Sequence, residues 1–171
     1  MQNKKLIAAA FAALALAAAG AQAAGKNSGK KPLADLSDNT PVLMLAEVNS
    51  LDKKVEVAYV CDSQQGKRNL NAMYGIKNDE TVVTQIKVGT ELTPNLRRVM
   101  NDTNGKKQNS YYGEGLTWIT DKADPNSLTS ANGKILMQAD AVDGGLPKGN
   151  QTILFQNCQV DKAATKKLNG K

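Results

Sequence analysis

Short alternating runs of apolar and polar residues dominate the chain from Val55 onward. In Val55-Glu56-Val57-Ala58-Tyr59-Val60-Cys61, the residues Val55, Val57, Tyr59 and Cys61 share one face, because successive side chains of a strand point to opposite sides. Leu70 to Ile76 forms a second segment, and Asn78-Asp79 reads as a turn before a third, Thr81 to Val88. Gly89-Thr90 separates that from Glu91 to Met100, where Pro94 implies an edge position or a bulge. Asn104-Gly105 is a further turn. Ser110 to Thr120 resumes strand character and Asp124-Pro125-Asn126 breaks it. Ile135 to Val142 and Thr152 to Val160 close the series, separated by Gly144-Gly145 and Pro147. Seven or eight strands with short connections and no internal helix predict an all-β antiparallel barrel or sandwich.

The chain ahead of these strands has another character. Residues 1–23 read as a signal peptide: Lys4 and Lys5 precede an unbroken apolar run from Leu6 to Ala19, and Ala21-Gln22-Ala23 is a small-x-small cleavage site. That run is shorter than the roughly 20 residues a spanning helix needs, so no transmembrane segment is expected. No cysteine lies near the site to carry a lipid. Residues 24–50 read as a flexible leader, since 24–40 is too small, polar and charged to bury much apolar surface. Within it, Val42 to Ala46 suits an edge strand or a small helix, and periodicity does not decide between them. The barrel domain is then 51–160, followed by a basic tail over 161–171. The expected location is exported: periplasmic, secreted or associated with the outer surface.

The two cysteines, Cys61 and Cys158, are the only thiols. In the oxidising compartment an exported chain meets, they are expected to pair. Cys61 ends the first strong strand and Cys158 lies in the last, so a bridge pins the terminal strands together as barrel closure requires. Closing so long a loop restricts the unfolded chain by on the order of 4–5 kcal/mol in the entropy model. Paired cysteines are neither nucleophile nor metal ligand, and the chain has no histidine. An imidazole base, the usual serine triad and an ordinary zinc site are thereby excluded. No metal and no cofactor is expected.

The formal charge of +6 is less telling than it looks. Lys4 and Lys5 belong to the signal, and Lys162, Lys166, Lys167 and Lys171 stand against Asp161 alone in the tail. The barrel segment is nearly neutral. With three arginines and few aromatics, the chain lacks the clustered Arg and interleaved rings of a nucleic-acid binder. Asp121 with Asp124, or with Glu114, form nominal acid–base pairs for glycoside cleavage, yet they sit among turn formers, where solvated carboxylates are ordinary. The expectation is a binding protein and not an enzyme.

Asn109 to Ile119 holds two of the four tyrosines and the only tryptophan, interrupted by Gly113 and Gly115. Rigid aromatics beside small residues suit a recognition loop. The competing reading makes Tyr112 and Trp118 core residues and the glycines a bulge. For Trp118 the core is expected, and for Ser110 and Tyr111 an exposed contact role stands beside it.

Tyr59-Val60-Cys61, Tyr74-Gly75 and Phe155-Gln156-Asn157-Cys158 together resemble the frame of exported bacterial inhibitors of c-type lysozyme. Tyr112-Gly113-Glu114-Gly115-Leu116 followed by Trp118 resembles that family's central hairpin. The two-cysteine frame, the non-lipidated signal and the basic charge resemble its adhesin complex protein branch. The resemblance covers about 55–160 and implies an eight-stranded antiparallel barrel, closed by one disulfide, that inserts a loop into the lysozyme cleft. It makes Ser110, Tyr111, Tyr112, Glu114 and Lys122 the contact candidates. This chain departs from the membrane-bound relatives' S-x-A-S-G signature ahead of a tyrosine, having Gly105-Lys106-Lys107-Gln108-Asn109-Ser110-Tyr111. Lys122 is followed by Ala123 where those relatives have glycine. The partner implied is c-type lysozyme, with a host cell surface as the alternative for an adhesin. Because c-type lysozymes are basic, a basic inhibitor gains no long-range steering and needs local fit.

Overall fold

The computed structural model describes residues 42–143 and 145–170, so the expected signal peptide and the leader up to residue 41 lie outside the described residues. The strands are β1 (Lys53–Ser63), β2 (Gly66–Lys77), β3 (Glu80–Val88), β4 (Glu91–Leu92), β5 (Leu96–Arg98), β6 (Gln108–Gly113), β7 (Leu116–Asp121), β8 (Gly133–Asp143) and β9 (Leu146–Val160). A 3-10 turn, Leu128–Ser130, precedes β8, and a helix, α1 (Lys162–Leu168), follows β9. Eight strands close a ring in the order β1-β2-β3-β5-β6-β7-β8-β9 and back to β1, all antiparallel. β4 is a two-residue spur on β3. The expected eight-stranded barrel forms, and the expected Cys61–Cys158 disulfide crosses its β1/β9 seam.

Alternation fills the interior. Val55, Val57, Tyr59 and Cys61 of β1 are all buried, the first three opposite Tyr74, Ala72 and Leu70 of β2, whose Ile76 is buried too. On β9 the period slips, because Phe155 and Cys158 both point inward three residues apart. A bulge between Val60/Gln159 and Asp62/Gln156, with Asn157 at φ 50°, absorbs the extra residue and aims Cys158 at Cys61. At the centre, the Tyr59 and Trp118 rings pack edge to face with centroids 5.6 Å apart. The Trp118 Nε1–H donates to the Tyr74 hydroxyl at 3.0 Å, which also bonds the Tyr59 hydroxyl at 3.0 Å. These polar tips satisfy one another where water is excluded, so large rings are buried without orphaning their donors.

Three segments differ from what the strand pattern alone predicts. Ser110 to Thr120, one segment by that pattern, is two strands, as the resemblance to a central hairpin implied, because Glu114 and Gly115 adopt φ 49° and 83° and turn the chain in two residues. Positive φ at both central positions is what a tight twisted hairpin demands. Asn78-Asp79, at φ 50° and 59°, turns β2 into β3 in the same way, as expected. Glu91 to Met100 is likewise divided, with Pro94 in the gap between β4 and β5.

The basic tail, for which the sequence reading named no element, forms α1. The Asp161 carboxylate accepts from the Ala164 N–H at 2.9 Å and caps the helix. β1 pairs β9 only over Tyr59 to Asp62, which leaves earlier backbone groups of β1 in need of partners. α1 supplies them. Thr165 Oγ1 accepts from the Ala58 N–H at 2.9 Å, Asn169 Oδ1 accepts from the Glu56 N–H at 3.2 Å, and Asn169 Nδ2 donates to the Glu56 carbonyl at 2.7 Å.

The Val42 to Ala46 run resolves as an extended edge. Leu45 bridges Val99, the Ala46 N–H donates to the Arg98 carbonyl at 2.8 Å, and the Met100 N–H donates to the Met44 carbonyl at 2.7 Å. Arg97 Nε clamps the Ala46 carbonyl at 2.7 Å. The segment thereby continues the pairing of the short β5 past its two residue pairs with β3.

Candidate functional site

In an antiparallel ring successive connections alternate between the two ends. The β1–β2, β3–β5, β6–β7 and β8–β9 connections lie at one end, called here the free end. The β2–β3, β5–β6 and β7–β8 connections lie at the other, with α1 and the start of β1. This sorting decides the fate of the contact candidates.

Tyr111 is fully buried: its ring packs against Tyr74 at 5.7 Å, its hydroxyl donates to Thr81 Oγ1 at 2.9 Å, and Arg98 lies over it at 5.6 Å. The exposed role considered for it is corrected to a core role. Tyr112, on the opposite face of β6, is also buried, and burial raises its phenol pKa. Ser110 is buried against the β5–β6 loop, donating to Asp102 Oδ2 at 2.5 Å. Partial burial alone raises the Asp102 pKa, but hydrogen bonds from Ser110, the Asn104 N–H and Gln108, with the Arg98 charge, outweigh it and hold the carboxyl below its ordinary value. Ser110 thus braces a loop. β6 is buried on both faces, and for that reason its hydrophilic-looking sequence misleads.

Glu114 and Lys122 are exposed, as a contact role requires. They sit at opposite ends of β7, however, separated by a six-residue strand of about 20 Å. The five candidates do not converge on one surface. The nominal Glu114–Asp121 acid pair is split for the same reason. Asp121 is ion-paired with Lys134, and Asp124 organises its own turn through Ser127 and the Asn126 N–H, hydrogen bonds that lower its pKa. Among the described residues no group of three or more Cys, Asp or Glu is placed to hold a metal ion, and no helix is long and apolar enough to cross a membrane.

What the free end does present is an arm. β7 pairs β8 only as far as Gln138, and β1 pairs β9 no earlier than Gln156. The β8–β9 ladder nevertheless continues to Asp143 and Leu146. Ala141, Val142 and Asp143 on β8 and Lys148 to Ile153 on β9 are exposed. The Glu114-Gly115 turn is seated at the base of this ribbon. The Ala139 N–H donates to the Gly115 carbonyl at 2.9 Å, and a Cβ on Gly115 would meet Gln138 Nε2 at 2.8 Å and Val142 Cγ2 at 3.0 Å. Turn and arm therefore form one continuous ridge. Its charges are Glu114, Asp140 and Asp143 against Lys148, which pairs with Asp143. The sequence reading missed the arm because its Gly144-Gly145 and Pro147 signals read as an ordinary gap between strands, whereas Pro147 lies inside β9.

The fold is a small antiparallel barrel with a disulfide-bonded seam and an exposed ridge at one end. The family model for the Nm-ACP, ACP-like domain matches residues 55–160. The chain belongs to this family of adhesin complex protein-like domains. No curated protein matches it.

Proposed function

We propose that the protein is an exported, non-enzymatic binding module that inhibits c-type lysozyme by docking the β8–β9 arm and the Glu114 turn over its cleft. The observation supporting this reading is the acidic ridge at the free end. c-type lysozymes are basic, so Glu114 and Asp140 offer the steering that the chain's net charge denies it. The cleft itself contains two carboxylates, which repel acids. The uncharged, exposed stretch from Gly149 to Thr152 suits it better. The Asn150 and Gln151 amides and the Thr152 hydroxyl offer the hydrogen bonds that a polysaccharide would. Blocking requires no chemistry, only a ridge held in shape before contact.

A lysozyme lysis assay with the disulfide-bonded protein tests this. Glu114→Lys with Asp140→Lys should weaken inhibition about tenfold or more, mainly through a slower association rate that high salt reproduces. Undiminished inhibition would move the contact elsewhere. Absence of inhibition by the unaltered protein would leave the second reading, an adhesin or envelope-associated module without lysozyme inhibition. The family membership supports that reading, as do the exposed Val142 and Ile153 on the arm.

A further inference from the structure

We propose that the groove between α1, the Leu128–Ser130 turn and the start of β1 binds an anionic glycan, a polysaccharide carrying sulfate or phosphate groups. This site lies at the opposite end of the barrel from the arm and does not depend on the lysozyme reading. The groove encloses about 750 Å³ and is lined by Lys53, Lys54, Lys162 and Lys166, with Asn126 and Ser130 beside them. Such a volume falls within the range of sites that hold small ligands. Lys53 and Lys54 precede the family-matched residues and Lys162 and Lys166 follow them, so the two flanks of the domain together build the site.

Lys67, Lys77, Lys134 and Lys148 each have an aspartate within ion-pair distance. The four groove lysines lack an ion-pair partner, as do Lys87, Lys106, Lys107, Lys122 and Lys167 among the described residues, but these four are the ones gathered around one groove. The neighbouring acids are engaged otherwise, Asp161 in capping the helix and Asp124 in its own turn. Lys162 and Lys166 stand one helical turn apart, a like-charge spacing that disfavours an isolated helix. They are nevertheless held in place, because Thr165 and Asn169 on the same helix face are bonded to the β1 backbone. A bound anion relieves this repulsion through charge-assisted hydrogen bonds.

The lining chooses among polyanions. No aromatic side chain lines the groove, so it offers no platform for stacked bases. The apolar side chains of the lining are Val55, which is buried, and Pro125, which is half-buried. The exposed Leu168 of α1 is not part of it, so the groove presents no protruding apolar face of the kind that membrane insertion uses. Asn126 and Ser130 instead suit sugar hydroxyls.

The test measures binding of the disulfide-bonded protein to a sulfated oligosaccharide, a phosphorylated oligosaccharide of equal length and the uncharged parent sugar. Single-stranded DNA and anionic vesicles serve as competitors. Either charged sugar should bind and raise the melting temperature, and the tighter one identifies the anion. The parent should not bind. Lys162→Gln with Lys166→Gln should reduce affinity about tenfold, roughly one charge-assisted hydrogen bond lost, and Lys162→Arg with Lys166→Arg should restore most of it. Lys106→Gln with Lys107→Gln, the same charge change on the β5–β6 loop, should have under about a twofold effect. Equal losses from the groove and loop variants, tighter binding of DNA or vesicles, or failure of both charged sugars to bind would overturn the proposal.

Discussion

Gly133 and Trp118 touch so closely that no side chain fits between them. A Cβ on Gly133 would lie 2.1 Å from the Trp118 ring and 2.9 Å from Cys158 Cβ, inside any contact real atoms make. Gly133 is also paired with Cys158 across β8 and β9, so ring, backbone and disulfide meet at one point. Gly133→Ala should therefore destabilise the barrel by about 3 kcal/mol, the upper end for overpacking. Urea denaturation checks this through a lowered midpoint at unchanged slope.

The Tyr74 hydroxyl serves two neighbours, Trp118 and Tyr59. Tyr74→Phe preserves the ring but orphans the buried indole N–H, a loss of about 1–3 kcal/mol. Tyr111→Ala should also melt early, by about 3–5 kcal/mol, because it empties a core position. Its folded fraction should still inhibit lysozyme if the ridge is the contact. Thermal melts and lysis assays on the same samples separate these effects.

All four tyrosines are buried, and desolvation raises the pKa of each. In the unfolded chain they ionise near pH 10, as free phenols do. Above that the folded barrel retains protons that the unfolded chain releases, so their stabilising contribution is complete below about pH 10 and declines as pH rises beyond it. Tyrosinate absorbance should appear together with loss of strand structure in circular dichroism. Gradual ionisation of native protein near pH 10 would contradict the burial.

Removing the tail has two consequences that must be kept apart. Deleting 162–171 takes away the lysines, but also the partners of the Ala58 and Glu56 backbone. Thr165→Val removes one of those partners at nearly constant shape and should destabilise by about 1–3 kcal/mol without altering charge. Comparing melts of the deletion, Thr165→Val and Lys162→Gln with Lys166→Gln assigns each part. The charge variant should melt near the unaltered protein.

Export leaves a mass signature. The exported protein should begin at Ala24 or Gly25, as the Ala21-Gln22-Ala23 site directs, and weigh two hydrogens less than its reduced form. Intact mass spectrometry with and without reductant reads both at once. Retained residues 1–20 or two alkylatable thiols would contradict the compartment reading.

The strands of the barrel were legible where buried positions alternate with more exposed ones, as from Leu70 to Tyr74 of β2. That alternation failed where a second layer covers the outside. β6 is sealed outside as well as inside, so Ser110 and Tyr112 look like surface residues in sequence and are not. The Glu114-Gly115 turn came from the family resemblance and not from the strand pattern, because Asn or Asp is the usual marker of a left-handed first position. α1 escaped because its seven residues bury only Thr165 and bond largely through polar groups, leaving no apolar stripe to read. The arm is a property of how far neighbouring strands extend, and a single strand's pattern carries no record of its neighbours' lengths.

The thin seams of the ring show what the disulfide protects against. β5 joins its neighbours through only two residue pairs on each side, yet the Met44–Ala46 segment continues its pairing past those with β3. Between β1 and β9 only three pairs span the bulge, and there the lock is Cys61–Cys158. A closed ring has no raw margins, but a ring slit along that line becomes a curled sheet with two, each able to zip onto a second molecule. A chain that folds before its thiols are oxidised is thus exposed to polymerisation. If the chain is exported, the order of the two events should decide whether monomers or edge-paired polymers result.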